Sequence, residues 1–110
     1  MAVSRTEAMY GLKQHTIAAI RAVLAQHGLV TKAMLYGSRA KGDYHNGSDI
    51  DLTLMGEGLT LDELFRIETE LDDLFLPYKI DLSLYDRIEN RDLIDHIERV
   101  GAVFYQKTAP

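Results

Sequence analysis

Two aspartates stand inside a short apolar segment near the middle of the chain, in the order Asp49-Ile50-Asp51-Leu52-Thr53-Leu54. Apolar and polar residues alternate here, and this pattern predicts a β-strand over Ile50–Met55 whose apolar residues face a core. Residues two apart in a strand point to the same side, so Asp49 and Asp51 project together from the other face. Because aspartate is depleted in strands, two of them on one face are unusual. The segment therefore predicts a sheet with its core on one face and paired carboxylates on the other.

The remaining patterns predict a small α/β domain. Amphipathic periodicity indicates three helices, and a capping box at Ser4 and Glu7 allows the first of them to begin earlier. The predicted order is a helix over 12–27, a strand over 30–36, the strand 50–55, a helix from Thr60 that Pro77 stops, a strand over 79–85, a helix from Asn90 to Gly101, and an edge strand at 103–105. We expect a single domain over 1–110, with a mixed sheet of about three strands flanked by helices.

Composition excludes several classes of protein. The chain has no cysteine, which excludes disulfide scaffolds, thiolate zinc sites and cysteine nucleophiles. Its net charge of −5 makes sequence-independent binding to DNA improbable, because phosphate neutralisation supplies most of that affinity. The apolar run 17–25 is broken by Arg21 and lacks a cleavage pattern, so neither a secretory signal nor a membrane span is predicted. We expect a cytoplasmic protein.

A glycine-rich segment, Gly-Ser-Arg-Ala-Lys-Gly over 37–42, follows the first predicted strand. It is not a Walker A loop, because that motif requires a lysine and then a serine or threonine after the second glycine, and Asp43 and Tyr44 stand there instead. A Gly-Ser pair between a strand and a helical turn can still direct backbone amides and one hydroxyl at a phosphate. The alternative is that Gly37 only makes the turn and Ser38 caps the helix.

A third carboxylate, Asp81, interrupts the strand predicted over 79–85. If this strand neighbours 50–55, Asp81 shares a face with Asp49 and Asp51. Carboxylates so close raise one another's pKa unless a cation lies between them, and hard oxygen ligands suit Mg²⁺. Two bridged metal ions are the usual apparatus of in-line phosphoryl transfer. The alternative is a set of surface aspartates on a half-exposed sheet.

The four histidines give no comparable signal, since no two of them have the spacing of metal ligands; they are His15, His27, His45 and His96. His27 is predicted to interact with the dipole at the C-terminus of the first helix. His45 lies in the loop beside the proposed site, where it is either a substrate contact or simply solvated.

Gly37-Ser38, then ten residues, then Asp49-x-Asp51, with a later strand aspartate at Asp81, resembles the nucleotidyltransferase superfamily that includes DNA polymerase beta. Residues 35–54 are especially similar to its smallest branch, the minimal nucleotidyltransferases. The resemblance implies that Asp49 and Asp51 hold the Mg²⁺ of a nucleoside triphosphate, and that Asp81 joins them around a second ion. It also implies that Gly37 and Ser38 bind the outer phosphates, with Arg39 as a further nucleotide-binding candidate.

The resemblance also implies a partner. Many minimal nucleotidyltransferases are antitoxins of HEPN-domain RNase toxins, to which the best-understood branch transfers AMP from ATP, on a tyrosine. The chain is then expected to be a protein adenylyltransferase that uses ATP and two Mg²⁺ ions, forms a hetero-oligomer with the toxin, and binds neither nucleic acid nor membrane. The alternative is a non-catalytic, nucleotide-binding antitoxin that neutralises its partner by complex formation alone. Nucleic-acid polymerisation is disfavoured, because the chain is acidic and has no room for domains that grip a template.

Overall fold

The computed structural model describes residues 9–108, and the capping box at Ser4 and Glu7 lies outside them. The elements, in chain order, are α1 (Gln14–Ala25), β1 (Lys32–Tyr36), α2 (Gly37–Lys41), β2 (Ile50–Met55), α3 (Leu61–Asp72), β3 (Ile80–Leu84), a 3-10 turn (Tyr85–Arg87), α4 (Arg91–Val100) and β4 (Ala102–Gln106). None of the helices in this range has both the length and the apolar character needed to cross a membrane.

The sheet has four strands in the order β3-β2-β1-β4. β1 is antiparallel to both β2 and β4, whereas β2 and β3 are parallel and are joined by α3. The predicted mixed α/β fold is confirmed, and so is the predicted proximity of the strands that carry Asp51 and Asp81. The sheet has four strands where about three were expected, because the edge strand predicted at 103–105 extends over 102–106 and pairs with β1 from Lys32 to Leu35.

The core occupies one face of the sheet. Ile50, Leu52 and Leu54 of β2 are fully buried there, as the alternating pattern predicts. They belong to a cluster with apolar residues of the two helices that cover this face, α1 (Ile17, Ile20, Leu24) and α3 (Leu64, Ile67, Leu71). Each such side chain contributes about 1.5–3 kcal/mol by leaving water. Most of the apolar residues of the sheet are thus buried on this face, whereas α4 covers part of the other face, where Thr53 and Ile97 are also buried.

Side-chain caps fix the starts of two helices where the sequence predicts them. The Thr60 hydroxyl accepts a hydrogen bond from the Glu63 amide at 3.2 Å, and the Asn90 side chain accepts one from the Leu93 amide at 3.1 Å. Both bonds satisfy amides that have no partner inside the helix. α3, however, ends at Asp72, well before Pro77, and Phe75 takes a positive φ of 55° in the turn that follows.

His27 lies beyond the last turn of α1, and its ring does not cap that helix. Its Nδ1 lies 2.6 Å from a carboxylate oxygen of Glu63, and its Nε2 lies 2.8 Å from one of Glu70. Both glutamates belong to α3, so the buried imidazole joins the end of α1 to the neighbouring helix. The prediction from the dipole of α1 did not include these two partners, which hold the ring in the structure.

Candidate active site

Three polar side chains form a row across the face of the sheet opposite the core. Tyr36 of β1 pairs with Asp51 of β2, and Asp51 pairs with Asp81 of β3. Residues directly opposite each other on antiparallel strands, as Tyr36 and Asp51 are, have Cβ atoms about 4.5–5.5 Å apart. Asp51 and Asp81 lie side by side on adjacent parallel strands, which are about 4.7–4.9 Å apart. Asp49 precedes β2 by one residue and is two residues from Asp51, which places it next to this row. We call Asp49, Asp51 and Asp81 the acidic row.

The members of the acidic row differ in their surroundings. Asp51 is half-buried, whereas Asp49 and Asp81 are exposed. Burial raises the pKa of the Asp51 carboxyl, and the charges of Asp81 and Asp49 raise it further, while His96 acts in the opposite direction. A cation beside Asp51 would relieve both the desolvation and the repulsion.

The acidic row matches the way in which Mg²⁺ is usually bound. Between residues 9 and 108, no three histidine, aspartate or glutamate side chains converge closely enough to enclose a metal ion. Mg²⁺ does not need such a cage, because it usually takes one or two carboxylates and completes its shell with water and substrate phosphates. These residues therefore fit an ion that takes its remaining ligands from water or from phosphate oxygens.

At Gly37, the first turn of α2 lies next to Asp51 of the acidic row. Its φ is +74°, a left-handed conformation that side chains rarely adopt, and a Cβ on Gly37 would collide with the carboxylate of Asp51. A side chain at this position would force the Asp51 carboxylate to move. The glycine of the Gly-Ser pair is thus favoured by the turn and by its closeness to Asp51.

Ser38 is the second residue of α2 and is partly buried. The N-cap position belongs to Tyr36, whose side chain makes no capping bond. The alternative in which Ser38 caps this helix is therefore wrong. The Ser38 side chain makes no hydrogen bond to any of residues 9–108.

His96 of α4 also reaches this site, which the sequence analysis did not predict. Its Nε2 accepts a hydrogen bond from the Gly37 amide at 2.9 Å, and its ring packs edge-on against Tyr36 with 6.2 Å between centroids. The Gly37 amide is thus already bonded within the protein, and a phosphate that takes it must displace the imidazole. No local pattern marks His96, because its partner is 59 residues away in the chain.

Tyr36 places a phenol beside the acidic row. Burial raises the pKa of this phenol, and the charges of Asp51 and Asp81 raise it further. The neighbouring Ser83 hydroxyl donates to Thr53 Oγ1 at 2.9 Å. The phenol therefore keeps its proton near neutral pH and brings no further negative charge to the row.

Arg39, predicted among the nucleotide-binding residues, lies beneath the loop that leads to Asp49. Its side chain is 1% exposed, and its guanidinium donates to backbone carbonyls of Tyr10, Asn46 and Ser48. Because Arg39 is almost completely buried and bonded to the backbone, its side chain is poorly placed to contact a nucleotide directly. Lys41 is exposed and lies 3.4 Å from the carboxylate of Asp43.

Comparison with known families is consistent with this geometry. Residues 18–109 match the family described as Polymerase beta, Nucleotidyltransferase. The chain belongs to this family. The nucleotidyltransferase assignment made from the Gly-Ser pair and the aspartates is therefore confirmed, and the acidic row lies inside the matched region. No curated protein matches the chain significantly.

Solved structures of toxin–antitoxin complexes contain chains with the same fold. A toxin–antitoxin structure with AMP-PNP gives a TM-score of 0.68 at 18% identity, over 84% of this nucleotidyltransferase and 74% of that chain. The MntA-HepT toxin–antitoxin gives 0.64 at 15% identity, over 86% and 74%. A tri-AMPylated Shewanella oneidensis HEPN toxin in complex with its MNT antitoxin gives 0.64 at 16% identity, over 86% and 72%. At such identities these likenesses establish the fold.

Proposed function

We propose that this nucleotidyltransferase is the antitoxin of a HEPN-domain RNase toxin, and that it transfers AMP from ATP to a hydroxyl of that toxin, expected to be a tyrosine. The observation that carries the proposal is the contact of the Gly37 turn with Asp51, which sets a phosphate-binding turn against paired carboxylates. A nucleotide-binding module has no need of all three carboxylates, because binding alone does not require a second metal.

The acidic row would hold the metal ions. Asp49 and Asp51 are assigned to the Mg²⁺ that accompanies the triphosphate, and Asp81 joins them at a second ion. When bound, such ions neutralise phosphate charge and lower the pKa of an attacking hydroxyl. The half-buried Asp51, whose pKa is raised by burial and by its acidic neighbours, supports this assignment because a cation removes both causes.

Gly37 and Ser38 would hold the β- and γ-phosphates. The Ser38 hydroxyl and the amides of the α2 turn supply the donors, with His96 giving up the Gly37 amide. The acceptor oxygen then attacks the α-phosphorus and forms a new P–O bond, while the bond from the α-phosphorus to the bridging oxygen breaks. The proton of the acceptor hydroxyl passes to water, and pyrophosphate departs with the bonding electrons.

Support for the partner comes from the solved neighbours, which include a nucleotide-bound complex and a modified HEPN toxin. A transferred AMP adds negative charge and bulk, which can block an RNA-binding site. Residues 62–110 carry twelve acidic against six basic residues, and we assign part of the docking surface to them. An RNase surface that binds phosphate is basic, so this acidic half complements it. ATP and such a toxin would meet in the cytoplasm.

Co-expression with a HEPN-domain toxin, taken from the adjoining reading frame, tests the proposal. Intact-mass measurement should show added AMP on the toxin with the wild-type chain and none with Asp49→Asn. Asp43→Asn is the matched control, because Asp43 is exposed in the same loop but lies outside the acidic row. If Asp49→Asn neutralises the toxin equally well and the toxin mass never changes, neutralisation occurs by binding and the enzymatic proposal is wrong.

A further inference from the structure

Arg39 is a buried cation without a carboxylate partner among residues 9–108. Its side chain is 1% exposed, although it lies in a segment of mostly polar residues. A charge buried in this way is costly unless every donor is satisfied. We therefore ask which groups its donors hold in place.

The guanidinium is bonded to the loop between α2 and β2. Nε and Nη2 both donate to the Ser48 carbonyl, at 3.1 and 2.9 Å, and Nη2 also lies 3.3 Å from the Asn46 carbonyl. On the other side, Nη1 donates to the Tyr10 carbonyl at 2.9 Å. The planar guanidinium of Arg39, with its forked set of N–H donors, thus joins this loop to the turn that precedes α1.

Two aromatic rings enclose the same cation. The guanidinium carbon lies 5.2 Å from the centroid of Tyr44 and 5.0 Å from that of Tyr78. Gly11, with a φ of +73°, lies so close that a Cβ there would collide with the Tyr44 ring and press against Nη1. Planar delocalised charge suits such stacking, whereas the compact ammonium of lysine does not combine stacking with a fork.

The carbonyl that receives two of these bonds belongs to the residue before Asp49. Asp51 is held by the ladder on both sides, but Asp49 lies just outside β2, whose first residue Ile50 donates to the Lys79 carbonyl at 2.9 Å. The direction in which Asp49 leaves the backbone therefore depends on how Ser48 is held. Among the described residues, Arg39 is the side chain that holds the Ser48 carbonyl.

We propose that Arg39 is a positioning residue for Asp49: its fork fixes the Ser48 carbonyl and so directs the Asp49 carboxylate into the acidic row. The inference rests on the proposed function, in which Asp49 is a metal ligand. It assigns Arg39 to the organisation of the metal site and removes it from direct contact with phosphate.

Arg39→Lys tests this role, because it keeps the charge and loses the fork. The probe is Mn²⁺ alone, titrated without nucleotide, and ATP binding in EDTA is measured beside it. We expect Arg39→Lys to weaken Mn²⁺ about tenfold, as is typical when a group that orients a metal ligand is lost, and to leave ATP binding in EDTA unchanged.

Arg21→Lys is the matched control. Arg21 also donates from Nε to a carbonyl, that of Phe104 at 2.7 Å, and it stacks on the Phe104 ring at 5.5 Å, but on the α1–β4 side of the molecule. This variant should bind Mn²⁺ as the wild type does. If Arg39→Lys also binds Mn²⁺ normally, the positioning role is wrong. If it weakens ATP in EDTA and leaves Mn²⁺ unchanged, Arg39 contacts phosphate and the inference fails.

A second variant covers the case in which Arg39→Lys does not fold. Arg39→Ala is titrated with Mn²⁺ in added ethylguanidinium, which should restore the affinity, and in ethylammonium, which should not. Equal results with the two ions would overturn the inference. If the wild-type chain binds Mn²⁺ but transfers no AMP, the proposed function is wrong, whereas the role of Arg39 in Mn²⁺ binding is unaffected.

Discussion

At the scale of single residues, His27 is the clearest case of a role set by partners rather than by sequence position. A neutral imidazole has one N–H, so the ring can donate to both Glu63 and Glu70 only as the imidazolium. Burial lowers the pKa of His27, but the hydrogen bonds to Glu63 and Glu70 and their charges outweigh it, and the net shift is upward from 6.5. The charged ring therefore fastens α1 to α3.

This pair of contacts predicts a pH-dependent stability. A raised pKa in the folded state stabilises the protein fully below the unfolded pKa of 6.5, and that contribution is lost as the pH rises through the folded pKa. We expect His27→Gln to lower the free energy of unfolding by about 1.5–3 kcal/mol at pH 6, as for hydrogen bonds to charged groups, and by less at pH 9. Urea unfolding of both proteins between pH 6 and pH 9 measures this difference in the free energy of unfolding. A difference that does not change with pH would contradict the prediction.

Gly37 allows a sharper test at the residue scale. Gly37→Ala combines the cost of a left-handed backbone, about 1–2 kcal/mol, with a collision against Asp51. We expect it to lower the free energy of unfolding by more than that conformational cost and to abolish AMP transfer. Gly42→Ala is the control, because Gly42 has a φ of +91° but open space around its missing Cβ. Equal losses of stability in the two variants would show that contact with Asp51 is not the constraint.

At the scale of elements, α4 is tied to the Gly37 turn through His96. This bond occupies the Gly37 amide, which the proposed nucleotide needs. Stability and affinity should then change in opposite directions when the imidazole is removed.

We expect His96→Ala to lose about 1 kcal/mol of stability, the usual net value of one hydrogen bond. By the same reasoning it should bind ATP roughly fivefold more tightly, because no imidazole must be displaced. Thermal unfolding and calorimetric titration measure the two effects. His45→Ala is the control, since His45 Nδ1 also accepts from a glycine amide, that of Gly47 at 3.3 Å, in an exposed loop. An affinity for ATP that falls with the stability of His96→Ala would contradict the displacement.

Elements defined by local patterns were predicted well. The bounds of β2 match Ile50–Met55, and Thr60 and Asn90 cap the helices that they were expected to cap. Alternation and capping are local, so a sequence reveals them directly. β4 is longer than predicted because its pairing with β1, and not its own pattern, sets its length.

Features that depend on distant contacts were not predicted. The burial of Arg39 depends on carbonyls and rings contributed by three segments, around Tyr10, Tyr44–Ser48 and Tyr78, whereas its own segment is polar and suggests exposure. His96 has no periodic signal that separates it from the other histidines. Asp81 was found because its strand pattern is local, but its pairing with Asp51 had to be assumed until the sheet order was known.

At the scale of the whole molecule, we expect the acidic row to lower the stability of the protein without ligand and to raise it when metal and nucleotide bind. Asp51 carries a raised pKa in the folded state, so its ionised form opposes folding at neutral pH when no cation is present. We expect Asp51→Asn to be at least as stable as the wild type in EDTA.

With Mg²⁺ and ATP the order should reverse. Ligand at a hundred times its Kd stabilises a folded protein by about 2.7 kcal/mol, and Asp51→Asn should lose most of this increment. Thermal unfolding with and without ligand measures the difference, with Asp43→Asn as the control. The same ligand-induced shift in Asp51→Asn and in the wild type would exclude Asp51 as a ligand.

The parallel pairing of β2 with β3 has a consequence for synthesis on the ribosome. A nascent chain that has emerged only through β2 already carries Gly37, Ser38, Asp49 and Asp51, but the strand that delivers Asp81 is still missing. His96 follows later, and β4 then completes the sheet beside β1. Pairings between distant segments form late, because loop closure must precede them. The acidic row is thus completed only after β3 has left the exit tunnel, and the bond between Gly37 and His96 only after α4 has followed.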